Sequence, residues 1–158
     1  MRFLWRISNH RDLEGRSAEI YTARWHTAGE GKRVVYLEEH PAVALIEVLV
    51  NVQGDQTELS RDYQLIKVAV PDDVCLDRVP EASLSKNWRE KPAETQLLGN
   101  AWLSECRSAL LAVPSASSPE STNYLLNPLH GDARKLSIEW ARRIEYDKRL
   151  FRTLPYSM

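Results

Sequence analysis

Glu47 interrupts the longest apolar stretch of the chain, Ala42–Val50. An unpaired carboxylate in such a run is costly to bury, so Glu47 must face a cavity, meet a cation, or share a solvent stripe with His40 and Asn51. Four other polar side chains stand out by type and place. Arg24 sits in an alternating aromatic segment, Tyr36 near the end of a β-branched run, Ser115 among small residues, and Asn127 before Pro128. Each also has a plain structural use: a surface strand arginine, rim packing, a loop hydroxyl and a turn. Taken one at a time, none assigns a function.

Several familiar chemistries are excluded. Gly29-Glu30-Gly31-Lys32-Arg33 has the look of a phosphate loop, but Lys32 is followed by Arg33, and His26 stands where the first glycine belongs. There is no GxGxxG, and Ser115 lacks the GxSxG of a nucleophile elbow. His10, His26, His40 and His130 are too scattered to predict a triad or a metal site. Cys75 and Cys106 lie 31 positions apart, which gives neither a CxxC pair nor a disulfide framework and points to a reducing compartment. No metal is expected.

Composition bounds the rest. With 158 residues the chain fits one ordinary domain, residues 1–158, and leaves no room for a separate DNA-binding domain. The 21 Lys+Arg and 22 Asp+Glu nearly cancel, so no general field draws nucleic acid or an anionic membrane. An apolar fraction of 43% with five Trp and six Tyr is enough for one buried core. The start reaches Arg6 without building a signal-peptide core, and the longest apolar run is about half of the ~20 residues a membrane span needs. A cytoplasmic chain with no membrane anchor is expected.

These residues must be positioned by the elements around them. Phe3, Trp5 and Ile7 alternate with polar or differently facing neighbours, predicting a first strand, and Tyr21, Ala23 and Trp25 predict a second extended segment that ends near Gly29. Val34–Leu37 is a short strand, and His40-Pro41 opens a helix carrying Glu47, since proline suits a first helical position. Residues 63–70 form a strand stopped by Pro71-Asp72-Asp73. Pro92 opens a second helix to about Arg107, Ser108–Val113 is a buried strand, and Pro114–Pro119 is a loop. Leu136, Ile138, Trp140, Ile144 and Tyr146 keep even spacing, which favours strand. The result is an α+β domain.

The joint order of the segments says more than any one of them. Arg24-Trp25-His26-x-x-Gly29, Val34-Val35-Tyr36-Leu37, Pro41-x-x-Ala44-x-x-Glu47, Val113-Pro114-Ser115-Ala116 and Asn123-Tyr124-Leu125-Leu126-Asn127-Pro128 follow one another here. In that order they resemble the RES-domain toxins of bacterial RES-Xre toxin-antitoxin pairs. Leu4-Trp5-Arg6-Ile7 and Asp147-x-Arg149-Leu150 extend the likeness to both ends. One departure is Ala23, where family members often have glycine before the arginine.

The resemblance implies a mixed central sheet with flanking helices, like the ADP-ribosyltransferase toxin fold, and an enzyme that consumes NAD. Arg24, Tyr36, Glu47 and Ser115 would be site residues, with Asn127 a further candidate. Nicotinamide leaves NAD as a neutral group, so no general acid is required. One fixed carboxylate, Glu47, can stabilise the oxocarbenium-like ribose. Arg24 offers a planar fork for the pyrophosphate, Tyr36 a ring and a hydroxyl, and Ser115 a donor to ribose or carboxamide. Three readings follow: NAD depletion by hydrolysis or phosphorolysis, protein ADP-ribosylation at the same site, and a non-catalytic domain in which arginine and glutamate form an ion pair. The resemblance also implies an Xre-type antitoxin that blocks the cleft, and a homodimer within that complex. DNA contact would then belong to the antitoxin.

Overall fold

A computed structural model describes residues 1–53 and 56–151, so the last seven positions of the expected domain lie outside the described residues. Seven strands form one mixed sheet: β1 (Arg2–Ser8), β2 (Val35–Glu38), β3 (Gln64–Val70), β4 (Leu76–Arg78), β5 (Leu110–Pro114), β6 (Thr122–Leu126) and β7 (Ser137–Arg143). Their spatial order is β4-β5-β6-β2-β1-β3-β7, antiparallel throughout except for β4 beside β5. Two helices of ordinary length flank it, α1 (Pro41–Asn51) and α2 (Pro92–Glu105). The α+β architecture is as expected.

Strand alternation divides the core into two layers. Val35, Leu37, Leu110, Ala112, Tyr124 and Leu126 face one layer, together with Leu4, Ile66 and Val68. Their neighbours Val34, Leu111, Val113 and Leu125 face the other, against Trp25, Trp88 and Trp102. The sheet is weakest at its middle: β1 and β2 share a single register pair, Trp5 with Glu38, whereas β1 and β3 pair over seven. Helix α1 packs over that seam, touching both strands. Its start is set by Pro41 at the first helical position and by His40, whose Nδ1 accepts from the Ala42 amide at 3.1 Å.

Three expectations need correction. Tyr21–Trp25 is not an extended strand: Ala23 and His26 form an isolated bridge around a tight turn, with Tyr21 exposed and Trp25 buried. The cause is tertiary, as α2 grips this turn. Even spacing also fails in β7, where the register shifts between Lys67 and Val68, whose partners Trp140 and Ile138 leave Glu139 unpaired. Ile138 and Ala141 therefore meet the core, while Trp140 stacks edge-on against Trp5. Finally, β4 and β6 are strands that alternation did not predict.

Candidate active site

The turn bearing Arg24 is held on α2 by three polar side chains. Gln96 Nε2 donates to the Ala23 carbonyl at 2.9 Å, the buried Thr95 hydroxyl donates to the Arg24 carbonyl, and Asn100 bonds both the amide and the hydroxyl of Thr27. Gly99 permits the contact, because a Cβ there would overlap the Trp25 carbonyl oxygen. Backbone groups that no strand uses are thereby satisfied, and the arginine is aimed from a rigid base. One Arg24 N–H donates to the Arg89 carbonyl at 2.9 Å, and the other donors of its fork have no bond among the described residues.

Tyr36 is fixed from the opposite side. Its hydroxyl lies 2.7 Å from His26 Nδ1 and accepts from the Trp25 amide at 3.2 Å. His26 Nε2 lies 3.0 Å from the Ala18 carbonyl, which requires a proton on Nε2, so Nδ1 accepts from the Tyr36 hydroxyl. Burial lowers the pKa of His26 and raises that of Tyr36, and both side chains stay neutral. Tyr36 thus presents its ring to the cleft while its hydroxyl serves the framework, which corrects the expectation that the hydroxyl would bind a ligand.

Glu47 projects from α1 into the end of the β5–β6 hairpin. Its carboxylate accepts from Ser115 Oγ at 3.2 Å, Asn123 Nδ2 at 3.2 Å and Ser117 Oγ at 3.4 Å. The solvent-stripe reading is overturned, since His40 caps the helix and Glu47 is half-buried under three donors. Ser115 is 1% exposed, and its oxygen also accepts from the amides of Ser117 and Ser118. It shapes the loop and donates to Glu47 from behind. Asn127 does not join the site: it is buried, accepts from the Leu129 amide and donates to Cys106 Sγ. It is a turn residue, as Asn-Pro ordinarily is.

Arg24, Tyr36 and Glu47 line one cleft of about 480 Å³, together with Trp25, Glu38, Asn51, Gln96, Ser117 and Asn123. A recess of about 130 Å³ adjoins it, lined by Tyr36, Glu38, Glu47 and Asn51 of the cleft and by Arg6 from β1. Four buried side-chain polar atoms lack a partner among the described residues, and three belong to this cleft: Trp25 Nε1, Glu38 Oε2 and Asn123 Oδ1. Orphaned groups are expensive in a finished core and ordinary in a ligand site. No carboxylate pairs with Arg24 among the described residues, so the structural arginine–glutamate ion pair is not formed. Glu38, Ser117 and Asn123 were missed by sequence reasoning. Glu38 left a signal, standing two residues after Tyr36 and so on the same strand face, and Asn123 opens one of the segments that carry the resemblance.

A family model described as the RES domain matches residues 3–148. The chain belongs to the RES-domain family. Its similar relatives include a protein named Toxin Res from Pseudomonas putida, 38% identical over 148 residues that cover 94% of this chain and 99% of that one. Another is named Prs ADP-ribosylating toxin, from Sphingobium sp., 33% identical over 158 residues, with 94% and 96% covered. Among solved structures, the M. tuberculosis MbcT-MbcA toxin-antitoxin complex contains a chain of similar fold. The TM-score is 0.71 at 18% identity, over 90% of this chain and 84% of that one. This RES-domain chain thus shares the architecture of a toxin along nearly its whole length, and no described helix is long and apolar enough to cross a membrane.

Proposed function

We propose that this RES-domain toxin breaks the bond between nicotinamide and ribose in NAD, with water or phosphate as acceptor. The observation that carries the reading is Glu47, a carboxylate clamped by three donors at the wall of a cleft that also holds an arginine with no carboxylate partner among the described residues. As the glycosidic bond breaks, its electron pair moves to the pyridinium nitrogen and neutral nicotinamide leaves. Positive charge develops on the ribose, and a pre-aligned carboxylate stabilises it without reorganising. The acceptor oxygen then bonds to the anomeric carbon, and a water acceptor releases its proton to solvent. Arg24 suits the pyrophosphate through the donors of its fork that the Arg89 carbonyl leaves free, and the Tyr36 ring gives a flat apolar wall for the base.

The fit to such a substrate rests on the three orphaned polar atoms of the cleft, which a polar ligand would satisfy. A second reading, transfer of ADP-ribose to a protein, is favoured by the printed name of the Sphingobium relative. The same Glu47 would serve it, and only the acceptor would differ. The complex named for the similar fold supports a protein antitoxin as partner, and an Xre-type chain covering this cleft and a homodimer are part of the proposal.

The test is nicotinamide release from NAD by the purified chain. Glu47→Gln is expected to lower the rate by about 10³-fold with an unchanged melting temperature. Full activity in that variant would overturn the reading. Labelled NAD incubated with cell proteins separates the acceptors: label only in small molecules supports hydrolysis or phosphorolysis, and label on a protein supports transfer.

A further inference from the structure

Glu38 is the last residue of β2, 6% exposed, and it lines both the cleft and the recess beside it. It faces Tyr36 along its own strand face, Glu47 from α1 and Arg6 from β1, with Arg24 across the cleft. Neither carboxyl oxygen forms a hydrogen bond to the protein among the described residues, and Oε2 is fully enclosed. Arg6 attracts it by charge but forms no direct ion pair with it among the described residues, its guanidinium donating to Ser8 Oγ and the Asp12 carbonyl. The contrast with Glu47 is sharp: one carboxyl has three donors aimed at it, the other has none.

Burial without donors, beside another carboxylate, favours the protonated form of Glu38. Desolvation first, then the charge of Glu47, push the Glu38 pKa well above the ordinary carboxylate range, against the opposing pull of Arg6. A protonated carboxyl presents one donor and one acceptor side by side. A primary carboxamide presents the same pair reversed.

We propose that Glu38 reads the carboxamide of the substrate, donating its proton to the amide oxygen and accepting from the amide nitrogen, so that the cleft takes a pyridine carboxamide and refuses a pyridine carboxylate. This rests on the reading of the cleft as a site for NAD. Position supports it: Glu38 follows Tyr36 by one same-face step of about 7 Å, the span of a ring on Tyr36 with its carboxamide over Glu38. A substrate carboxylate would instead set acceptor against acceptor and add a second negative charge beside Glu47. Such a mismatch is rejected strongly because buried polar groups are left unpaired.

The experiment compares NAD with its deamidated analogue, in which a carboxylate replaces the carboxamide. Rates and KM are measured for wild type, Glu38→Leu and Glu38→Gln. Wild type is expected to favour NAD in kcat/KM by at least about 100-fold. Glu38→Leu should raise KM for NAD about tenfold and shrink the preference to a few-fold. Glu38→Gln keeps one donor and one acceptor and should recover most of what leucine loses. Wild type is expected to lose activity on the alkaline side as Glu38 ionises, since the acid form is the binding form, and Glu38→Gln should remove that decline. An unchanged preference in Glu38→Leu, or a glutamine variant as impaired as leucine, would overturn the proposal. If leucine does not fold, the glutamine pH profile decides: an alkaline decline like that of wild type counts against Glu38. Absence of NAD cleavage by wild type would instead count against the underlying reading.

Discussion

The two sides of the Trp5–Glu38 seam are built differently. On one side, β5 and β6 are buried on both faces and lie under three tryptophans, Trp25, Trp88 and Trp102, all within 2% exposure. On the other, β1, β3 and β7 pair in long antiparallel register, and one face carries half-buried aromatics with cations laid over them. The first side depends on distant contacts: the donors to Glu47 lie 68, 70 and 76 positions from it. The second is long-range in sequence too, pairing Arg2 with Val70 and Gln64 with Arg143, but its strands β1 and β3 declare themselves through local residue pattern. The candidate site sits on the first side, where packing fixes side chains to the tolerance that charge stabilisation requires.

The sharpest way to break this contrast is to remove one tryptophan from each side. Trp102 is fully buried and its indole donates to the Ser108 hydroxyl at 2.8 Å, so Trp102→Ala should cost about 3–5 kcal/mol by transfer and cavity terms. Trp140 is half-buried against Trp5, with ring centroids 5.6 Å apart, and Trp140→Ala should cost about 1–2 kcal/mol. Denaturant unfolding measures both. Equal losses would mean that the two sides are one packing unit.

Gly99 tests whether the site side acts through the turn it holds. Adding a methyl group there drives it into the Trp25 carbonyl, so α2 or the turn must shift, at a cost of about 1–3 kcal/mol. Because Arg24 rides on that turn, Gly99→Ala should lower NAD cleavage more than it lowers stability. The check is kcat/KM together with melting temperature. Activity that falls only as far as the folded fraction would show that the turn's position is not what matters.

The same contrast explains what the sequence could show. Alternation, short apolar runs and proline located β1, β2, α1, β3, α2 and β5, because each has a patterned face, an unbroken apolar run or a helix start that local residues declare. β6 reads Thr-Asn-Tyr-Leu-Leu, buried on both faces and so without alternation, and β4 is three residues that become a strand only beside β5. Tyr21–Trp25 did alternate, but the grip of α2 overrides local preference. In the site, Arg24, Tyr36 and Glu47 were visible through family spacing. The bonding of Ser117 and Asn123 to Glu47 was not, since nothing local ties a hairpin loop to a helix so far earlier in the chain. The bonding of Ser115 and Asn127 likewise needed the fold.

The smallest expected effect lies on the open face. Lys67 Nζ lies 3.9 Å from the Phe3 ring centroid and 5.6 Å from that of Trp5, and 3.4 Å from Glu139 Oε2. Lys67→Met keeps much of the stem packing and removes the charge, for a loss of about 1 kcal/mol. Glu139→Gln removes only an ion pair open to solvent and should cost about 0.5 kcal/mol or less, vanishing in high salt. Most of the Lys67 loss should persist in salt, because the rings partly shield the ammonium from water. A Lys67→Met loss that disappears with salt would show that the open face is held by its ion pair, and the cation–aromatic ladder would then contribute nothing measurable to that side of the sheet.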